Sequence, residues 1–144
     1  MKNKKLISQL LLATLLISAC GSSSAELTIQ DAWARPTLKG QNGAIYFVIE
    51  NRTDSHNALT GASTDVASAA EVHMSMQNDQ GVMTMSMQDS VQIMPGENIT
   101  FKPGGLHIML VDLKQDLKVG DTFTLTLSFE KSGDITLEIQ VKEQ

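Results

Sequence analysis

The strongest constraint in this 144-residue sequence is a two-residue rhythm near its C-terminus. Phe123, Leu125, Leu127 and Phe129 alternate with Thr and Ser, and Ile135, Leu137, Ile139 and Val141 alternate with Thr, Glu, Gln and Lys. Successive side chains of a strand point to opposite faces, so each run has one apolar and one wet face as a strand; a helix would scatter the same residues around its circumference.

The same period divides the rest of the chain from Leu27 onward. Expected strands are Leu27–Ala34, Ala44–Asn51, Asn57–Ala62, Ala69–Met76, Val82–Gln88, Asn98–Phe101, Leu106–Asp112, Thr122–Glu130 and Ile135–Lys142. Turn residues separate them, among them Asn78-Asp79-Gln80-Gly81, Met94-Pro95-Gly96 and Lys102-Pro103-Gly104-Gly105. Short strands at regular spacing in one domain-sized chain predict an all-β Greek-key sandwich or barrel of about eight or nine strands. No convincing helix, repeat or second domain is expected.

The N-terminus carries an address. Lys2, Lys4 and Lys5 precede the apolar run from Leu6 to Ile17, and Ser18-Ala19-Cys20 follows. A basic start, about a dozen apolar residues and a small-residue site describe a signal peptide over residues 1–19; a spanning helix needs about 20 apolar residues. Leu16-Ile17-Ser18-Ala19-Cys20 resembles the lipobox of bacterial lipoproteins, which implies lipidation at Cys20, a flexible tether over 20–26 and a β-domain over 27–144. Ordinary export with Cys20 left as a thiol is the alternative. The expected location is periplasmic or at the cell surface, with the membrane touched through the lipid anchor only.

Charge and cysteine count exclude several functions. The chain has 11 basic and 16 acidic residues; without the three lysines of the signal peptide, 8 face 16, a net charge of −8. Such a domain is a poor binder of nucleic acid. One Cys excludes an intramolecular disulfide, a Cys-based zinc site and an iron–sulfur cluster.

Methionine, with eight residues, is the unusual component. Parity sorts the methionines and histidines. Ala70, Val72, Met74 and Met76 share one face of their strand, leaving Glu71, His73 and Ser75 on the other. Met83, Met85 and Met87 share a face, and His107 and Met109 lie opposite Leu106, Ile108 and Leu110. The turn at Asn78–Gly81 makes an antiparallel hairpin in which opposed residue numbers have a constant sum. A sum of 158 sets His73 opposite Met85; a sum of 160, with Gly81 left-handed, sets Ser75 opposite Met85. Either even sum places His73 and Met85 on one face, and an odd sum separates them.

Two imidazoles and two thioethers, His73, Met85, His107 and Met109, form a neutral, soft donor set, which suits copper(I) and suits zinc, calcium or magnesium poorly. The lack of a thiolate argues against a blue-copper electron carrier. Met74, Met76 and Met94 are read as packing residues and His56 as a surface residue. Met83 and Met87 are read as packing, with an auxiliary role in passing metal as the second reading.

Written out, the spacing is His73-Met74, ten residues, Met85, twenty-one residues, His107, one residue, Met109. This H-M-x10-M-x21-H-x-M arrangement resembles the signature of the periplasmic copper(I) chaperones of the PCuAC family. Ile29-Gln30-Asp31-Ala32-Trp33-Ala34-Arg35-Pro36, Asn42-Gly43-Ala44-Ile45-Tyr46-Phe47 and Met94-Pro95-Gly96 extend the resemblance over most of residues 27–142. It implies a cupredoxin-like barrel holding one cuprous ion through His73, Met85, His107 and Met109; Trp33 and Tyr46 fit the family's framework and are read as core aromatics. It further implies a carrier, not an enzyme, that passes copper by ligand exchange toward cytochrome c oxidase, in some cases together with a Sco-type thiol chaperone. Rival readings are a copper-buffering or resistance protein, a metal-free binding lipoprotein and, third, an enzyme using His73 and His107 as acid and base.

Overall fold

The computed structural model describes residues 26–143. The expected signal peptide, Cys20 and the tether up to residue 25 lie outside the described residues. Ten strands make up the domain: β1 Leu27–Ala34, β2 Gly43–Asn51, β3 Asn57–Ser63, β4 Ala67–Gln77, β5 Met83–Met87, β6 Val91–Ile93, β7 Asn98–Phe101, β8 Leu106–Leu113, β9 Thr122–Phe129 and β10 Gly133–Val141. Among the described residues there is no helix.

The expected count of eight or nine falls short by β6. This strand has three residues, too few to display a period, and its pairing partner is distant in sequence: Asn57 and Leu59 of β3 lie opposite Ile93 and Val91. Burial of Ile93 against the core holds it there.

Seven strands are hydrogen-bonded in the order β4-β8-β2-β1-β10-β9-β3, and pairing of Ala62 with Ala70 joins β3 back to β4. The sheet therefore closes into a barrel, which removes most of its free edges. Strands far apart in sequence lie side by side, β8 between β4 and β2 and β10 parallel to β1, as the long returns of a cupredoxin-like Greek key require. Strand alternation fills the interior: Ile45, Phe47 and Ile49 from β2, Ile108 and Leu110 from β8, and Leu125 and Leu127 from β9 are fully buried. Phe47 stacks on Phe101 with ring centroids 4.3 Å apart.

β1 breaks its own period. Gln30 pairs with Val48 but Trp33 pairs with Tyr46, so three residues on β1 span two on β2, and Asp31 takes φ 53°. A bulge of this kind reverses the facing of everything after it. Trp33 shares parity with Leu27 and Ile29 but faces outward, while Ala34 turns into the core. Of the two expected core aromatics, Tyr46 is buried, 5% exposed, but against Trp33 on the barrel's outer face and not in the interior cluster, and Trp33 is only half-buried. Their ring centroids are 4.9 Å apart, and the Arg35 guanidinium lies 5.7 Å from the Tyr46 ring.

Candidate metal centre

The site is built on three neighbouring strands, β5, β4 and β8. The β4–β5 hairpin adopts the sum of 160: His73 lies opposite Met87, Ser75 opposite Met85 and Gln77 opposite Met83. The loop determines this choice. Asn78 accepts at Oδ1 from the amides of Gln80 and Val82, at 3.0 and 2.9 Å, and Gly81 closes the turn at φ 79°, a conformation open to glycine at little cost. On its other edge β4 meets β8, where His73 lies opposite His107, Glu71 opposite Met109 and Met74 opposite Leu106.

His73, Met85, His107 and Met109 therefore project from one face of a three-stranded sheet. Met85, His107 and Met109 line one surface cavity of about 270 Å³, together with Ser75, Tyr46 and Arg35. His73 stands beside it, its ring centroid 6.0 Å from that of His107. Ser75, 8% exposed, lies between Met85 on one neighbouring strand and Gly105, which just precedes β8, on the other side, and its small side chain leaves the cavity open.

Hydrogen bonds assign the ring nitrogens. Glu71 Oε2 lies 2.9 Å from His73 Nε2, and a carboxylate only accepts, so Nε2 carries the proton. His73 Nδ1 is left with its lone pair, buried and without a partner. At His107 the arrangement is reversed: Nδ1 donates to the Gly105 carbonyl at 3.0 Å, leaving the lone pair on Nε2. An orphaned buried imidazole nitrogen, a second nitrogen lone pair and two thioethers form a donor set for a soft monovalent ion.

Exposure is graded across the set. His107 is 7% exposed and Met85 62% exposed, so the site has a fixed inner end and an accessible outer one. Burial raises the Tyr46 phenol above its ordinary value of 10.0, with the Arg35 charge opposing part of that rise.

Four of the remaining methionines are placed differently from the packing role expected of them. Met83 and Met87 are 52% and 59% exposed on β5, and Met76 and Met94 are also exposed. A packing role fails for all four because, among the described residues, nothing covers β5, the end of β4 that pairs with it or the turn after β6. Met74 is partly buried on the face opposite His73, in line with its parity. His56 is exposed, with Lys131 Nζ 3.3 Å from its Nδ1. Sequence reasoning assigned no role to Glu71 or Ser75; the i, i+2 relation to His73 was the available signal for both.

A model of the LpqE-like lipoprotein family matches residues 27–141. The uncharacterized protein RP573 of Rickettsia prowazekii (strain Madrid E) is 38% identical over 114 residues, a match covering 76% of this chain and 62% of that protein, so the chain spans less than two thirds of the relative's length. Among solved structures, the copper-bound PCuAC domain from PmoF2 superimposes with a TM-score of 0.69 at 26% identity, over 83% of this chain and 94% of that one. The CuI form of DR1885 from Deinococcus radiodurans superimposes with a TM-score of 0.60 at 25% identity, over 88% and 86%. The ten-strand domain thus has the PCuAC fold.

Proposed function

We propose, from the premise that the chain belongs to the LpqE-like lipoprotein family, that it is an exported carrier of one cuprous ion held by His73, Met85, His107 and Met109. The observation that carries this reading is the register of β5, β4 and β8, which sets the four soft donors on one face, three of them lining one cavity and His73 beside it. The copper-bound PCuAC domains with the same fold support it.

The geometry suits carriage by ligand exchange. Neutral donors hold a cuprous ion without adding charge that would favour its oxidation. The exposed Met85 is the donor an incoming ligand displaces most readily, while His107, held by Gly105, keeps the ion from escaping. Each coordinate bond broken is replaced by one formed, and no catalytic turnover is needed. Cys20 would bear the lipid anchor, and the tether would raise the carrier's effective concentration near a membrane-bound recipient. The recipient we assign is a copper centre of cytochrome c oxidase, with a Sco-type thiol chaperone as the second participant.

Titration with cuprous ion under reducing conditions, against a strong competing chelator, tests the assignment. One tight equivalent is expected, lost in His107→Ala and weakened in Met85→Leu and Met109→Leu. Unchanged affinity in both methionine variants overturns the ligand set. Metallation of an apo oxidase fragment by the loaded protein, faster than by free chelated copper, separates delivery from storage.

A further inference from the structure

Among the described residues β5 is an edge strand, paired with β4 on one side only, and all five of its residues are exposed. Natural edges are guarded by charge, proline or a covering segment because a bare apolar edge invites aggregation. Here the outward residues on the face of the metal centre are Met83, Met85 and Met87, separated by Thr84 and Ser86. No Lys or Arg occurs between Arg52 and Lys102, and Asp79 and Asp89 stand beyond the two ends of the strand. A guard against aggregation would use the charges this strand lacks, whereas a surface receiving a soft cation needs thioethers and no competing positive charge.

Geometry limits how the three sulfurs can act. Residues two apart on a strand have Cα atoms about 7 Å apart. A methionine sulfur reaches about 4 Å from its Cα, and a metal–sulfur bond adds about 2.3 Å. Neighbouring methionines can therefore share an ion midway between them, but Met83 and Met87, about 14 Å apart, cannot. Met85 belongs to both pairs and also to the cavity of His107 and Met109.

We propose that Met83, Met85 and Met87 form a second, labile cuprous-ion site on the edge strand, two overlapping thioether pairs from which the ion steps through Met85 onto His107 and Met109. Each step forms one copper–sulfur or copper–nitrogen bond as another breaks, with no change in oxidation state. This rests on the copper-carrier reading above and adds the route by which its site fills and empties.

The test uses the full chain and its Met83→Leu/Met87→Leu double variant, both side chains being exposed and the replacement similar in size. Cuprous ion is supplied as a complex with a weak chelator, and the 13C-labelled methionine methyl resonances are followed. Because both pairs need Met85, the edge site is transient in wild type and is read in His107→Ala, which loses the tight equivalent and should bind a weaker one that shifts the Met83 and Met87 methyls. The double variant should keep the tight equivalent at unchanged affinity, lose the weaker one when combined with His107→Ala and exchange copper with a chelator about tenfold more slowly. Unshifted Met83 and Met87 methyls in His107→Ala, or a double variant with the wild-type exchange rate, overturn the edge site while leaving the tight site standing. Absence of any tight equivalent in wild type instead overturns the carrier reading on which it rests.

Discussion

Glu71 Oε2 sits 2.9 Å from His73 Nε2, two residues along the same face of β4, and Glu71 is also directly opposite Met109 on β8. The carboxylate thereby fixes which nitrogen of His73 is free. Outer partners of this kind typically change metal affinity by about 10- to 100-fold when removed. Glu71→Ala should weaken cuprous binding by about tenfold or more, with Glu71→Gln, which keeps an acceptor oxygen, closer to wild type. Long-range 1H–15N spectra of the apo protein should show His73 as the Nε2–H tautomer in wild type and a mixture in Glu71→Ala.

Ser75 offers a test of the cavity independent of any ligand. It is buried beside the cavity that Met85, His107 and Met109 share. Ser75→Leu should place bulk there and weaken cuprous affinity by at least the factor seen for a single lost thioether, while Ser75→Ala should leave it near wild type. Circular dichroism should show the β-sheet spectrum retained in both.

Tyr46 is the single tyrosine of the chain, so phenolate absorbance reports it alone. Burial raises its pKa, which means that folding favours the neutral phenol. The spectrophotometric titration of the folded protein should have its midpoint above 10.0. A raised folded value contributes stability that is fully present below the unfolded pKa and is lost as pH rises through the folded one. Denaturant unfolding should accordingly show a stability loss above pH 10 in wild type that is reduced in Tyr46→Phe.

Gly81 sets the register that aligns Met85 with Ser75. Its φ of 79° is strained for any residue with a β-carbon, and most so for a β-branched one. Gly81→Val should destabilise the domain by about 1–3 kcal/mol and weaken cuprous binding, because the hairpin must distort or shift. Equilibrium unfolding and chelator competition measure the two effects.

Much of the fold was legible because a strand advertises itself within its own residues. The alternation of Phe123 to Phe129 and of Ile135 to Val141 requires one buried and one wet face whatever the partner strands are. Parity likewise placed His73 and Met85 together under any even register, and it separated Met74 from them. β6 was not legible, because three residues carry no period.

What the sequence by itself determined was the period, the donor chemistry and the face on which each donor lies, since these depend on local backbone geometry and side-chain type. Tertiary structure decided which even register the Asn78–Gly81 loop adopts, and it placed β8 beside β4 so that His107 meets His73. It also decided that a bulge at Asp31 turns Trp33 outward, and that Met83 and Met87 stand uncovered at an edge. Those outcomes depend on pairing between strands distant in the chain and on the closure of the barrel, which no local pattern encodes.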